Sequence, residues 1–283
     1  MDFYKYHALG NDYIVIDPAH VDILMSTENI KLICDRHFGV GSDGILSGPF
    51  FENQKIGLRI YNPDGTEAEK SGNGIRIFSR YLLEARYVSD DMFSLWTKGG
   101  RVDVRLIDHR DFLIEVNMGK VTFESSEIPV LGDNREVVEE PLVIDDKTFK
   151  ITCLSIGNPH CVIIQKSVSE KVTREIGPKI ENHTMFPERI NVQFLEILDM
   201  ENVKIEIWER GAGYTLASGS SSCAAFAAAY RLGLVKKSVR VHMPGGKLEV
   251  SIDNEDNIHM TGPVTKIMEG RFAKALLYEL NKP

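Results

Sequence analysis

The sequence is short of the features that define several large classes of protein. Its 283 residues include only four cysteines. Cys34, Cys153, Cys161 and Cys223 lie far apart, and none forms the C-x-x-C spacing of a zinc ribbon or redox site, so a reduced cytoplasmic chain is expected. Positive charge is also scarce: 33 basic against 41 acidic side chains leave a net charge of −8. Lys236-Lys237 is the nearest approach to a basic patch, which argues against a nucleic-acid partner, since that binding needs clustered Lys and Arg. Long apolar runs are missing too. The longest apolar-rich stretch, Cys223 to Leu234, is interrupted by Tyr230, Arg231 and Gly233 and is too short to span a bilayer, and Met1 to Gly10 lacks the apolar core of a secretory signal. No membrane partner is expected. Also absent are the G-x-x-x-x-G-K-[ST] phosphate loop, H-E-x-x-H, and the G-x-S-x-G elbow. Gly72-x-Gly74 lacks the third glycine of a dinucleotide fingerprint, and the eight histidines show no metal-ligand spacing.

What the chain does contain is enough apolar residue, 43%, to build one large core or two ordinary ones, and a copy of itself. Leu9-Gly10-Asn11-Asp12-Tyr13-Ile14-Val15-Ile16 is similar to Ile156-Gly157-Asn158-Pro159-His160-Cys161-Val162-Ile163, 147 positions on. The same offset carries Leu58–Asn62 onto Ile205–Glu209 and Ser71-Gly72 onto Ser218-Gly219, and an offset of 146 carries the Gly99–Val104 region onto Gly246–Val250. Half the chain is too long a period for a solenoid. Two homologous domains are expected, 1–118 with the C-terminal segment 267–283 and then 119–266, with equivalent loops facing one small-molecule cleft.

Short β-rich runs support this, among them Tyr13 to Asp17, Gly57 to Tyr61, Arg101 to Ile107, Phe112 to Val116, Val192 to Leu198 and Val203 to Trp208. Each half carries one clear helix. Gly74 to Arg86 places Ile75, Phe78, Leu82 and Ala85 on one face; Ser220 to Leu232 is rich in alanine, must be buried, and stops at Gly233. The expected architecture is mostly β with one central helix per domain. Both helices follow glycine-bearing turns, Ser71-Gly72-Asn73-Gly74 and Ser218-Gly219-Ser220-Ser221. Their unpaired N–H groups attract a carboxylate or phosphate, although Ser and Asn are also ordinary N-cap residues.

The residues resemble the diaminopimelate epimerase family, within the cofactor-independent amino-acid racemases and epimerases. The likeness runs through Lys5–Asp12, Asp35–Gly44, Tyr61–Glu67, Gly157–Cys161, Phe186–Val192 and Trp208–Thr215. It implies an α/β (α+β) fold of two pseudo-symmetric domains, each a β-barrel-like sheet around a central helix, and a homodimer. The implied reaction inverts one α-carbon of diaminopimelate, between L,L and meso forms in the lysine and cell-wall precursor pathway, with no pyridoxal phosphate or metal. Carried over by position, Asn11 and Asn158 orient the reacting amino group and nearby substrate. Gly72-Asn73 and Gly219-Ser220, at the helix starts, hold the reacting carboxylate. Asn62, Asn191 and Arg210 hold the distal carboxylate, Arg being suited to a bidentate grip, and Glu209 pairs with the distal ammonium. Asn62 also reads well as a turn residue before Pro63-Asp64-Gly65.

The sequence departs from that pattern at the chemistry itself. The two positions that the family fills with cysteine are Ser71 and Ser218. A thiol ionises near pH 8.5 and is tuned lower at a helix N-terminus, whereas a hydroxyl is a far weaker acid and needs help. Cys223, five residues past Ser218, is expected to be a small core residue. The readings left open are a diaminopimelate epimerase working through two serines, a racemase or epimerase of another amino acid, and a catalytically silent amino-acid-binding relative. Lys70 before Ser71 and Ser220-Ser221-Ser222 after Gly219 also differ from the family, which favours a natural variant over an engineered pair of substitutions.

Overall fold

The computed structural model describes residues 2–281. The chain divides into two units, Met1–Val116 with Gly262–Pro283, and Asn117–Thr261. The boundaries fall two residues before the expected 118/119 and five before the expected 266/267.

The first unit runs β1 (Phe3–Ala8), β2 (Asn11–Ile16), α1 (Thr27–Cys34), β3 (Ile45–Glu52), β4 (Lys55–Tyr61), β5 (Glu67–Ala68), α2 (Gly72–Glu84), β6 (Met92–Thr97), β7 (Gly100–Asp108) and β8 (Leu113–Gly119). In the second unit follow β9 (Glu140–Ile144), β10 (Lys147–Ser155), β11 (Pro159–Ile164), α3 (Glu170–Glu181), β12 (Asn191–Ile197), β13 (Asn202–Glu209), β14 (Gly213–Thr215), α4 (Gly219–Arg231), β15 (Ser238–Met243), β16 (Gly246–Ile252) and β17 (Ile258–Gly262). The chain then returns to the first unit with β18 (Thr265–Gly270) and α5 (Lys274–Leu280).

The two units share one pairing plan. In the first, β18, β1 and β2 are antiparallel neighbours, β2 and β3 are parallel, β3 and β4 antiparallel, β4 and β6 parallel, and β6, β7 and β8 antiparallel. In the second, β9, β10 and β11 are antiparallel, β11 and β12 parallel, β12 and β13 antiparallel, β13 and β15 parallel, and β15, β16 and β17 antiparallel. The senses agree strand for strand. The C-terminal β18 therefore fills in the first unit the place that β9 fills in the second, which is why the chain beyond Gly262 belongs with the N-terminal half. Asp2 N donates to Gly270 O at 2.9 Å and Asn29 Nδ2 to Leu280 O at 2.7 Å, tying this return segment down.

Parallel neighbours require a crossover, and a helix supplies it. Each unit therefore holds two crossover helices, α1 and α2 or α3 and α4, and not the single helix expected; α5 is an addition to the first. α1 packs Ile30, Ile33 and Cys34 into a core with Phe3, Ile14, Ile16, Ile45 and Phe272. α3 packs Ile176 and Ile180 among Ile151, Cys153, Cys161, Val192 and Phe194.

The central helices match expectation in place, with shifted ends. α2 starts two residues before the expected Gly74 and stops at Glu84, because Arg86 lies at φ 60° and cannot continue it. Ile75, Phe78 and Leu82 are buried, whereas Ala85 is an exposed C-cap. α4 begins at Gly219 and ends before Gly233, whose φ of 71° and N–H bond to Tyr230 O close the helix. Its alanines let β10, β11, β12, β13, β15 and β16 all touch it. Among the described residues no helix is long and apolar enough to cross a membrane.

Candidate active site

In the first unit the site is built at the start of α2. Ser71 is the N-cap, with φ −139° and ψ 115°, and its Oγ accepts from Gly74 N at 3.1 Å. A second hydroxyl, that of Tyr13 on β2, lies 3.2 Å from the same Oγ. Asn73 is buried and sits in a chain of amides with a fixed direction. Arg76 Nη2 donates to Asn73 Oδ1 at 2.7 Å, Asn73 Nδ2 to Asn11 Oδ1 at 3.1 Å, and Asn11 Nδ2 to Asp43 Oδ2 at 3.1 Å. A guanidinium can only donate and a carboxylate only accept, so the two ends leave each amide one orientation. Asp43 is held in turn by Arg36 at 2.7 Å, which also reaches Asp12 at 2.7 Å, and Lys5 lies 2.9 Å from Asp12. Burial pushes the Asp12 carboxyl up, but hydrogen bonds from Arg36 and Lys5 outweigh it and hold the group below the usual carboxylate range.

The structure therefore joins Asn11 and Asn73 directly and sets Ser71 and Gly72 beside them in the same turn. Asn62 stands apart from that chain. Its backbone N–H donates to Thr66 O at 2.8 Å and its side chain to Thr66 Oγ1 at 3.0 Å, closing the turn through Gly65 at φ 90°. The turn role is realised; a substrate contact would add to it.

In the second unit Ser218 repeats the cap. Its φ of −146° and ψ of 127° are close to those of Ser71, and its Oγ accepts from Ser221 N at 3.4 Å. It is buried, and its carbonyl takes the Ser222 hydroxyl at 2.8 Å. Ser220 is half-buried in the first turn, next to buried Gly219, and Cys223 is fully buried in the core, as expected. Asn158 Oδ1 lies 3.0 Å from Nε2 of His160, a fully buried ring. Burial, with a smaller push from Arg210, lowers the His160 pKa to about 3, so the imidazole is neutral at pH 7.

Asn191 and Arg210 come together. Asn191 Oδ1 accepts from Arg210 N at 3.0 Å, Asn191 Nδ2 donates to Pro159 O at 2.8 Å, and Arg210 Nη1 donates to Glu188 O at 3.1 Å. Glu209 ends β13, half-buried, between Trp208 and Arg210. Among the described residues there is no group of three or more His, Cys, Asp or Glu placed to hold a metal ion.

The sequence profile of diaminopimelate epimerase matches residues 3–124 and 152–267, most of both units. The chain belongs to the diaminopimelate epimerase family. It is 51% identical over 274 residues to "Diaminopimelate epimerase 2" of Nostoc sp., covering 96% of each chain, and 36% identical over 276 residues to the diaminopimelate epimerase of Moorella thermoacetica, covering 96% of this chain and 99% of that one. The fold also matches a probable proline racemase from Agrobacterium radiobacter, with a TM-score of 0.68 at 14% identity over 96% of this chain and 92% of that one. The family is one of amino-acid isomerases, and the mixed α/β duplicated fold is its fold.

Three residues beside the candidate site residues escape a reading of motifs. Tyr13 and His160 occupy equivalent positions of the repeat, 147 apart, and each lies within hydrogen-bond reach of a site residue; the offset itself was the available signal. Glu181, the last residue of α3, is buried and accepts from Trp208 Nε1 at 2.7 Å, Gly211 N at 2.9 Å and Arg189 Nη1 at 3.2 Å. It thereby grips the chain on both sides of Glu209-Arg210 and, through Arg189, the approach to Asn191. Nothing local in the sequence marks it.

Proposed function

We propose that this protein inverts one α-carbon of diaminopimelate, interconverting the L,L and meso forms, with Ser71 and Ser218 as its two acid/base groups. The observation that carries this reading is the matched pair of serine caps, alike in torsion angles and in accepting from the residue three positions on. One serine oxygen takes the α-proton while the other hydroxyl gives a proton to the opposite face. The N–H groups of Gly72, Asn73, Gly219 and Ser220 stabilise the negative charge that gathers on the substrate carboxylate as the carbanion forms. Asn11 and Asn158 orient the amino group, Asn62, Asn191 and Arg210 hold the distal carboxylate, and Glu209 pairs with the distal ammonium. The identity to relatives named diaminopimelate epimerase supports this substrate. The reading extends to a cytoplasmic homodimer acting in lysine and cell-wall precursor synthesis without a cofactor.

A second reading draws on the caps themselves, since each serine oxygen already accepts a backbone N–H as an ordinary N-cap does: a silent relative that binds an amino acid without turnover. Incubation with L,L-diaminopimelate in D₂O separates the two. Loss of the α-proton NMR signal, well above that in Ser71→Ala/Ser218→Ala protein, is the expected result. Calorimetric binding without exchange would establish the silent relative, and exchange with another amino acid only would change the substrate. Converting both serines to cysteine should raise the exchange rate; no gain would count against the site.

A further inference from the structure

The chemical weakness of the proposed site is the hydroxyl of Ser71, and one side chain bears directly on it. Tyr13 is 6% exposed, and its phenol oxygen lies 3.2 Å from Ser71 Oγ. The ring is seated against Gly44, where an added Cβ would come within 2.6 Å of Tyr13 Cε1 and 2.5 Å of Tyr61 O. A side chain there would displace the ring, so the missing Cβ fixes where the phenol points. On its other side Ser71 Oγ accepts from Gly74 N at 3.1 Å.

While the serine is neutral, either hydroxyl can donate to the other. Once Oγ carries negative charge it has no proton to give, and the phenol is then the donor of the pair. The oxygen would face one phenolic donor and one backbone donor at the positive end of α2, the arrangement that favours a developing oxyanion. A hydroxyl, a far weaker acid than a thiol, has the greater need of such help, although a thiolate at the same position would feel it too.

We propose that Tyr13 is a positioning residue for Ser71, donating its phenolic hydrogen bond to Oγ and stabilising that oxygen as it becomes negative. The inference rests on the assignment of Ser71 as an acid/base group, but its test does not. The Ser71→Cys protein places a titratable thiol at the position, and its ionisation can be followed by the pH dependence of alkylation with iodoacetamide. The four native cysteines are buried, and unsubstituted protein gives their background. Tyr13→Phe in the Ser71→Cys background should raise the thiol pKa and slow alkylation near pH 7 about tenfold, the effect of losing one charge-assisted hydrogen bond. Incorporation of 3-fluorotyrosine at position 13, similar in shape, a stronger donor and still mostly protonated near pH 7, should speed alkylation there, which a purely packing role would not do. In Ser218→Cys protein, Tyr13→Phe should leave the thiol titration unchanged. Equal alkylation rates near pH 7 with tyrosine, phenylalanine and 3-fluorotyrosine at position 13 would overturn the proposal. In the exchange assay Tyr13→Phe should lower kcat by about tenfold with KM held. Absence of exchange in every protein would remove the proposed reaction, while the thiol titration would still decide the role of Tyr13.

Discussion

Replacing Glu181 by glutamine tests whether the chain around Glu209 and Arg210 is held by one buried carboxylate. Oε2 accepts from the Trp208 indole, Oε1 from Gly211 N and Arg189, and the side chain is 7% exposed. Glutamine keeps one acceptor oxygen. If that oxygen stays with Gly211 and Arg189, the new NH₂ group meets the indole N–H, donor against donor. A buried donor left unsatisfied costs about 1–3 kcal/mol. Two smaller effects oppose each other. Arg189 loses its counter-charge, but it is 53% exposed and solvent screening limits that loss to less than about 1 kcal/mol. Removing negative charge from the C-terminal end of α3 relieves an unfavourable interaction with the helix dipole, a gain of about 0.3–1 kcal/mol. The indole N–H decides the sign, and a net loss of roughly 2 kcal/mol is expected. The chain has two tryptophans, Trp96 and Trp208, so urea unfolding of Trp96→Phe protein, followed by fluorescence, reads the Trp208 region locally. The control is Trp208→Phe, followed by circular dichroism: with no indole N–H to orphan, Glu181→Gln should then cost less than about 0.5 kcal/mol. An equal penalty in both backgrounds, or none in either, would refute the reasoning.

Ser71→Ala and Ser218→Ala should each destabilise the protein by about 1 kcal/mol through the lost N-cap, readable as a lower urea midpoint, and a loss much below that would mean the caps are not the anchors of α2 and α4. His160, held neutral with its pKa lowered to about 3, should make stability depend on pH in a defined window. The unfolded chain binds a proton below about 6.5 and the folded one does not, so this contribution is complete above that pH and is lost as pH falls toward 3, at a limiting slope of about 1.4 kcal/mol per pH unit. His160→Gln should flatten the slope between pH 6 and 4, measured by urea unfolding, and an unchanged slope would assign it to other groups. Gly177→Ala should lower thermal stability despite the better helix propensity of alanine, because the new Cβ would come within 2.7 Å of Trp208 Cγ and 2.8 Å of its Cβ, atoms too near the backbone to swing away.

The parts of this fold that could be read from the sequence were those with a strong period or a repeated motif. α2 and α4 stand out because apolar residues recur at helical spacing behind Ser-Gly turns, and the expected strands from Tyr13, Gly57, Arg101, Phe112, Val192 and Val203 fall within observed strands apart from one or two end residues. α1 escaped because it has eight residues and carries polar Glu28, Asn29 and Lys31 among its apolar ones. α3 escaped because Gly177-Pro178 interrupts it on paper. In the structure Gly177 makes room for Trp208, and Pro178 is tolerated inside the helix. Both helices are nevertheless implied by topology, since β2–β3 and β11–β12 run parallel and need a crossover. Of the candidate site, the motif residues were legible one by one, but Tyr13 and Glu181 act through contacts 58 and 27 positions away. Such partners follow from the folded arrangement and leave no local mark.

The duplication also separates what the fold fixes from what each half has made its own. The caps of α2 and α4 differ by 7° in φ, −139° against −146°, and by 12° in ψ, 115° against 127°. Their surroundings differ far more. Ser71 has a phenol on its oxygen and a row of amides ending on charged groups. Ser218 lies among small hydroxyls, in the unit that holds the neutral ring of His160. The proposed two-sided proton transfer would require Ser71 and Ser218 to begin in opposite protonation states, one ready to accept and the other to give. Identical backbones with identical neighbours would make those states equal in energy. Equal caps with unequal polar partners keep the geometry symmetric while allowing each hydroxyl its own acidity. Replacing one partner by its repeat equivalent tests the proposed division of labour: Tyr13→His should change the titration of a thiol introduced by Ser71→Cys and leave the backbone of α2 intact, with amide hydrogen exchange of Ile75 to Leu82 as the check, and an unchanged titration would count against it.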